Sequence, residues 1–129
     1  MTRAAVARYL DALNGGDPDA IAACVTEDFY NEHTSALGHS RRGRAAYRER
    51  LPSFLAEFTG LHYDVEDTVV EGDRAAVAYT MTCVYHGDPV SVRGVFRFRV
   101  EDGLVAHRVD YWDSAAFTAQ LSTAAPPGP

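Results

Sequence analysis

The order of residues predicts an α+β domain, with helices in its first half and an antiparallel strand meander in its second. Up to Gly60 apolar residues recur every three or four places, and beyond it they alternate every second place. Punctuation supplies the third sign. Glu71-Gly72-Asp73, Gly87-Asp88-Pro89 and Glu101-Asp102-Gly103 divide the alternating half into four long strands at hairpin spacing.

In the helical half, Val6, Tyr9, Leu10 and Leu13 form one apolar stripe between Arg3 and Leu13, and Asn14-Gly15-Gly16 ends it. Asp17 can then cap a second helix, with Pro18 at the first position, where its missing N–H costs nothing. That helix is expected to run to about Val25. Thr26-Glu27-Asp28 interrupts the pattern, and Phe29 to His33 reads as a short extended segment carrying Tyr30, Glu32 and His33. Leu37 to Arg44, with Gly38 and Gly43, reads as a surface loop. Tyr47, Leu51, Phe54 and Phe58 mark a third helix, with a kink expected at Pro52. The strand half follows: Leu61, Tyr63 and Val65, then Ala75, Val77, Tyr79, Met81, Cys83 and Tyr85.

At 129 residues the chain fits one domain, expected over 1–123, with an Ala- and Pro-rich tail at 124–129 expected to be disordered. Hydrophobic residues at 47% and charged residues at 23% are the balance of a globular protein. A formal net charge of −6 disfavours nucleic acid as a partner. All 12 cationic side chains are Arg, which rules out a Schiff-base lysine. Cys24 and Cys83 form no CxxC, and the five histidines (His33, His39, His62, His86 and His107) show no ligand spacing, so neither disulfide nor metal is expected. There is no GxSxG elbow and no Gly-rich phosphate loop. The basic run Arg41-Arg42-Gly43-Arg44 reads as a solvated loop. The opening residues lack a signal-peptide core, and no run approaches the ~18 apolar residues that span a bilayer. A cytoplasmic location without membrane association is expected.

A helix-helix-loop-helix lead followed by a long antiparallel sheet resembles the nuclear-transport-factor-2-like superfamily, which includes ketosteroid isomerases, SnoaL-like polyketide cyclases and limonene-epoxide hydrolases. The stretch from Ala7 to Asp17 is similar to the first helix and turn of the isomerases, and Val109-Asp110-Tyr111-Trp112-Asp113 to the last strand of the epoxide hydrolases. The resemblance implies a cone-shaped fold in which three N-terminal helices close over a curved sheet and leave an apolar pocket. It also implies a homodimer formed through the sheet. Tyr9 matches the isomerase tyrosine that donates to an oxyanion, His33 stands in place of the carboxylate base, and Gly94 in place of the second, acidic donor. Against the epoxide hydrolases, Asp110 matches one acid of an Asp-Arg-Asp triad, whereas Tyr79 and Met81 replace the Arg and the other Asp. Against the SnoaL-like cyclases, Asp113 with Gln120-Leu121 resembles their acidic residue and trailing Gln-Leu.

Acid–base chemistry in a poorly solvated pocket is the remaining class. His33 is a natural base, because an ordinary pKa of ~6.5 leaves it mostly neutral at pH 7. Its competing role is a hydrogen bond at a helix–sheet junction, and that of Tyr9 is core packing. For Asp110 the question is register. Val92, Gly94, Phe96 and Phe98 alternate with Arg93, Arg97 and Arg99 and should face inward. A two-residue Asp102-Gly103 turn would pair Phe98 with His107 and turn His107, Val109, Tyr111 and Asp113 toward the pocket. A three-residue Glu101-Asp102-Gly103 loop would pair Phe98 with Ala106 and Gly94 with Asp110, bringing Arg108, Asp110 and Trp112 inward. The second register is preferred because an acid opposite Gly94 has room for a substrate and the hydrolase resemblance places it inside. In the first register Asp113 and His107 inherit its role.

The expected catalytic residues are therefore Asp110, His33 and Tyr9. Phe54, Phe58, Tyr79, Met81, Phe96 and Trp112 are expected to line a cavity for an apolar, polycyclic or polyketide-like molecule, with no cofactor. The leading reading is an isomerase or cyclase. The rivals are an epoxide hydrolase or epoxide-opening cyclase, and a non-catalytic ligand-binding or dimerising module.

Overall fold

The computed structural model describes residues 1–122, so the expected tail at 124–129 lies outside the described residues. Helix α1 spans Thr2–Gly15 and buries Ala5, Val6, Tyr9, Leu10 and Leu13. Gly16, at φ 73°, closes it with an N–H directed at the Ala12 and Leu13 carbonyls, a conformation that suits glycine because it lacks a Cβ. Helix α2 spans Pro18–Ala22, with the Asp17 carboxylate accepting from the Asp19 N–H. It is shorter than the sequence suggested. Strand β1, Val25–His33, begins immediately after it and absorbs Thr26-Glu27-Asp28.

The expected loop contains a two-residue strand, β2 (Arg41–Arg42), paired antiparallel with β1. Helix α3, Arg44–Glu57, continues through Pro52. The four long strands then follow: β3 (Phe58–Glu71), β4 (Arg74–Tyr85), β5 (Asp88–Glu101) and β6 (Leu104–Trp112). A last helix that the sequence reading lacked, α4 (Ser114–Ala119), starts at Asp113, whose carboxylate accepts from the Ala115 and Ala116 N–H groups.

The sheet runs β2-β1-β6-β5-β4-β3, curved and unclosed. Strands β3 to β6 form the expected antiparallel meander, but β1 lies parallel to β6, so the whole sheet is mixed. Turn residues announce hairpins and are silent about partners some 75 residues apart, such as His33 and Asp110. Helix α1 crosses β3 to β6, and α3 lies against β1 and β3. Asn14 ties α1 to the sheet: its amide donates to the Tyr63 carbonyl at 3.0 Å and accepts the Tyr63 N–H at 2.7 Å, as a neighbouring strand would. The core between the layers holds Tyr9, Leu13, Val77, Phe96 and Phe98, each side chain stabilising the fold by roughly 1.5–3 kcal/mol through burial. No helix among the described residues is long and apolar enough to cross a membrane.

The β5–β6 hairpin corrects both anticipated registers. Its turn has two residues, Asp102 (φ 51°) and Gly103 (φ 78°), between paired Glu101 and Leu104. The ladder then shifts: Val100 faces Val105, but Arg99 faces His107, leaving Ala106 as an extra residue. Phe98 therefore opposes Arg108, Phe96 opposes Asp110 and Gly94 opposes Trp112. Asp110 faces inward as preferred, through a bulge and not through a longer loop. The bulge lies where β1 also loses its regular step against β6, between Val25 and Tyr30, and where the Val105 N–H is taken by the Cys24 carbonyl at 2.9 Å.

Candidate active site

Three consecutive inward positions of β6, namely Arg108, Asp110 and Trp112, meet the end of β1 beneath α3. They border a cavity of about 340 Å³ and a smaller adjoining lobe of about 60 Å³. The larger space has walls of Leu13, Tyr47, Leu51, Phe54, Phe58 and Phe117, with Arg41, Arg50 and His39 among its polar lining. Tyr63, Tyr79, Met81, Val92 and Asp110 line the smaller lobe. His33, Phe54, Phe58, Arg108, Trp112 and Phe117 border both.

Asp110 is 4% exposed and accepts a 2.5 Å hydrogen bond from the Tyr79 hydroxyl on Oδ1. Its other oxygen lies 3.7 Å from His33 Nδ1. Burial raises the Asp110 pKa above the ordinary carboxylate value, against the opposing pull of the Arg108 charge and the Tyr79 hydroxyl. His33 moves the other way: burial, then the positive field of Arg108 and of His39, lowers it to about 3, so the ring is neutral across the physiological range. The shared cavity thus pushes the two groups in opposite directions.

Two donors meet the His33 ring: Arg108 Nη2 lies 3.4 Å from Nε2, and the Trp112 indole N–H is directed at Nδ1 from 3.4 Å. A neutral imidazole has one bare nitrogen, so it accepts from one of the two at a time; with Nε2 bare, Nδ1–H faces Asp110 Oδ2. Arg108 is itself held by Nε donating to Asn31 Oδ1 at 2.8 Å, with Phe96 beneath it at 4.9 Å from the ring centroid.

Tyr9 is completely buried, and its hydroxyl meets the Tyr47 hydroxyl at 2.5 Å; Tyr47, not Tyr9, forms the cavity wall. Phe96 lies wholly beneath the surface of the wall. Phe54, Phe58, Tyr79, Met81 and Trp112 border the cavity or its lobe. Asp113 caps α4, and His107 lies on the opposite face of the sheet, stacked on Tyr30 and 2.9 Å from Glu32, so neither joins Asp110. Gly94 lets the Tyr79 ring of β4 lie across β5: a Cβ there would come within 2.6 Å of both the Tyr111 carbonyl oxygen and Tyr79 Cζ. The sequence reading gave no role to Arg108, Asn31 or Tyr47. The available signal was alternation, since Arg108, two places before Asp110, becomes an inward residue as soon as Asp110 does. Among the described residues no three His, Cys, Asp or Glu side chains are grouped to hold a metal.

The family profile of the SnoaL-like domain matches residues 6–108. Among solved structures, a protein with a ketosteroid isomerase-like fold from Catenulispora acidiphila DSM 44928, in complex with trimethylamine, superposes with a TM-score of 0.84 at 19% identity, over 95% of this chain and 97% of the other. TerC co-crystallized with polyporic acid gives a TM-score of 0.80 at 20% identity, over 92% and 96%. A protein from Jannaschia sp. CCS1, provisionally assigned as a SnoaL-like polyketide cyclase, gives 0.78 at 23% identity, over 98% and 93%. No curated protein matches. With the profile covering most of its length, and the cone of helices over a curved sheet in place, this chain belongs to the SnoaL-like domain family.

Proposed function

We propose that this protein is an isomerase or cyclase that moves a proton next to a carbonyl of a small, largely apolar molecule, without a cofactor. The observation that carries this reading is the meeting of buried Asp110 and Arg108 with half-buried His33 at the floor of a cavity walled largely by aromatic rings. Asp110 is the base, because a carboxylate raised by burial is better matched to neutral pH than an imidazole lowered to about 3. His33 Nδ1 stands 3.7 Å from one carboxylate oxygen, and Tyr79 holds the other. As Asp110 takes the proton, the carbonyl oxygen gains charge beside the Arg108 guanidinium and the Trp112 N–H. In a cyclisation the carbon left behind attacks a second carbonyl of the same molecule, whose oxygen takes the proton back from Asp110; in an isomerisation Asp110 returns the proton to another carbon of the conjugated enolate. Tyr9 acts at one remove, by holding Tyr47.

The test uses 1-tetralone in D2O as a probe, with deuterium at the carbon beside the carbonyl followed by NMR. The native chain should catalyse exchange. Asp110→Asn should reduce it by about 10²–10⁴-fold, the usual contribution of a general base, and His33→Ala substantially, with far-UV circular dichroism unchanged. Undiminished exchange in both variants overturns the assignment. Epoxide opening by paired acids lacks support, since Asp110 is the one buried carboxylate among the described residues. For a dimer through the sheet, the support is an outer face carrying exposed Val95 beside Tyr111; sedimentation at twice the monomer mass is expected.

A further inference from the structure

Arg108 is 5% exposed, and the groups in direct contact with its guanidinium are uncharged, while the Asp110 carboxyl acts on it only through space. Nε donates to the Asn31 amide oxygen, Nη2 lies 3.4 Å from His33 Nε2, and the rings of Phe96 and Tyr9 lie 4.9 Å and 5.9 Å from its carbon. Among the described residues no carboxylate oxygen comes within 4.0 Å of the guanidinium, the Asp110 carboxyl included. Nη1 has no hydrogen-bond partner there either, yet it is not among the fully enclosed unpartnered atoms, so it opens on the cavity that Arg108 borders. A buried cation with no carboxylate in direct contact is costly, and an arrangement of this kind gains most from a ligand that brings an anion to it. The remaining charged lining points the same way: Arg41 and Arg50 border the larger cavity and no Asp or Glu does, in a chain whose net charge is −6.

We infer that the cavity is built for a ligand carrying a planar, delocalised oxyanion on an apolar ring system, a carboxylate or its vinylogous equivalent, with that group seated on the free edge of Arg108. A guanidinium offers parallel N–H donors that match such an oxygen pair. A volume of about 340 Å³ walled by Phe54, Phe58, Tyr47 and Trp112 suits one to three fused rings behind it. This narrows the substrate class of the proposed reaction and rests on the same site. It is nevertheless a statement about binding, and it survives if the chain turns nothing over.

Two matched pairs test it by isothermal titration at low ionic strength: 2-naphthoate against methyl 2-naphthoate, and 2-hydroxy-1,4-naphthoquinone, ionised at neutral pH, against its 2-methoxy ether. The native chain should bind at least one anion tenfold or more tightly than its neutral partner, and which pair shows the larger ratio separates a carboxylate from a vinylogous acid. Arg108→Met should abolish the ratio by weakening the anion while leaving the neutral partner within threefold. Should that variant not fold, the ratios on the native chain decide alone. Equal or weaker binding of both anions, including no binding of either, overturns the inference. Loss of deuterium exchange in Asp110→Asn with no anion preference would sink the ligand class and spare the chemistry, and the converse result would do the reverse.

Discussion

Asp110 stands opposite Phe96 across the β5–β6 ladder, where the two-residue Asp102-Gly103 turn alone would set Val109. The difference is Ala106. Without that extra residue the side chains beyond it would exchange faces, with Arg108, Asp110 and Trp112 outside and His107, Val109 and Tyr111 toward the cavity. A single bulge therefore decides whether this cavity has ionisable groups at its floor.

Gly94→Ala should strain the contact on which the Asp110–Tyr79 bond depends. The new Cβ meets the Tyr79 ring and the Tyr111 carbonyl, of which the second is backbone and yields little. Overpacking of this kind costs about 1–3 kcal/mol. Chemical denaturation should show the loss, together with slower deuterium exchange; a variant as stable and as active as the parent would contradict the close approach.

Tyr79→Phe removes the hydroxyl that holds Asp110 Oδ1 at 2.5 Å. Stability should fall by ~1.5–3 kcal/mol, the range for hydrogen bonds to a charged group. The hydroxyl lowers the Asp110 pKa, so its loss must raise it further, and the acidic limb of the pH–rate profile should move to higher pH. A limb that stays in place would mean that Asp110 is not the group titrating in the rate.

The two buried ionisable groups should leave opposite marks on stability against pH. His33 is lowered from 6.5 to about 3, so in that window the unfolded chain takes up a proton that the folded chain refuses. Stability falls as pH drops through it, by at most roughly 1.4 kcal/mol per pH unit, and His33 contributes nothing above it. His33→Gln should flatten that acid slope. Asp110, raised by burial, penalises the folded state as pH climbs above the ordinary carboxylate value, so Asp110→Asn should melt higher than the parent at pH 7 while losing activity. Urea midpoints at several pH values check both, and curves parallel to the parent's would count against them.

Asn14→Ala takes away both hydrogen bonds to the Tyr63 backbone and leaves an N–H and a carbonyl of β3 without them. A loss of about 1–3 kcal/mol is expected, with amide exchange of Tyr63 accelerated more than that of Val77 in the neighbouring strand. Unchanged protection at Tyr63 would show that the side chain does not complete the sheet.

The sequence by itself determined the helical lead, the four hairpin-linked strands and the inward face of β5, because those features are local: periodicity, a capping Asp17, turn residues at short spacing. It also brought out Asp110, His33 and the aromatic walls Phe54, Phe58 and Trp112 as candidates, through residue type and family resemblance. Only the tertiary structure decided that β1 runs parallel to β6, that Ala106 shifts the last strand, that Tyr47 screens Tyr9 from the cavity and that Arg108 lies at its floor with no carboxylate in direct contact. These are relationships between residues tens of positions apart. No local period encodes them, because burial, register and the balance of charge in a cavity arise only once distant strands have paired.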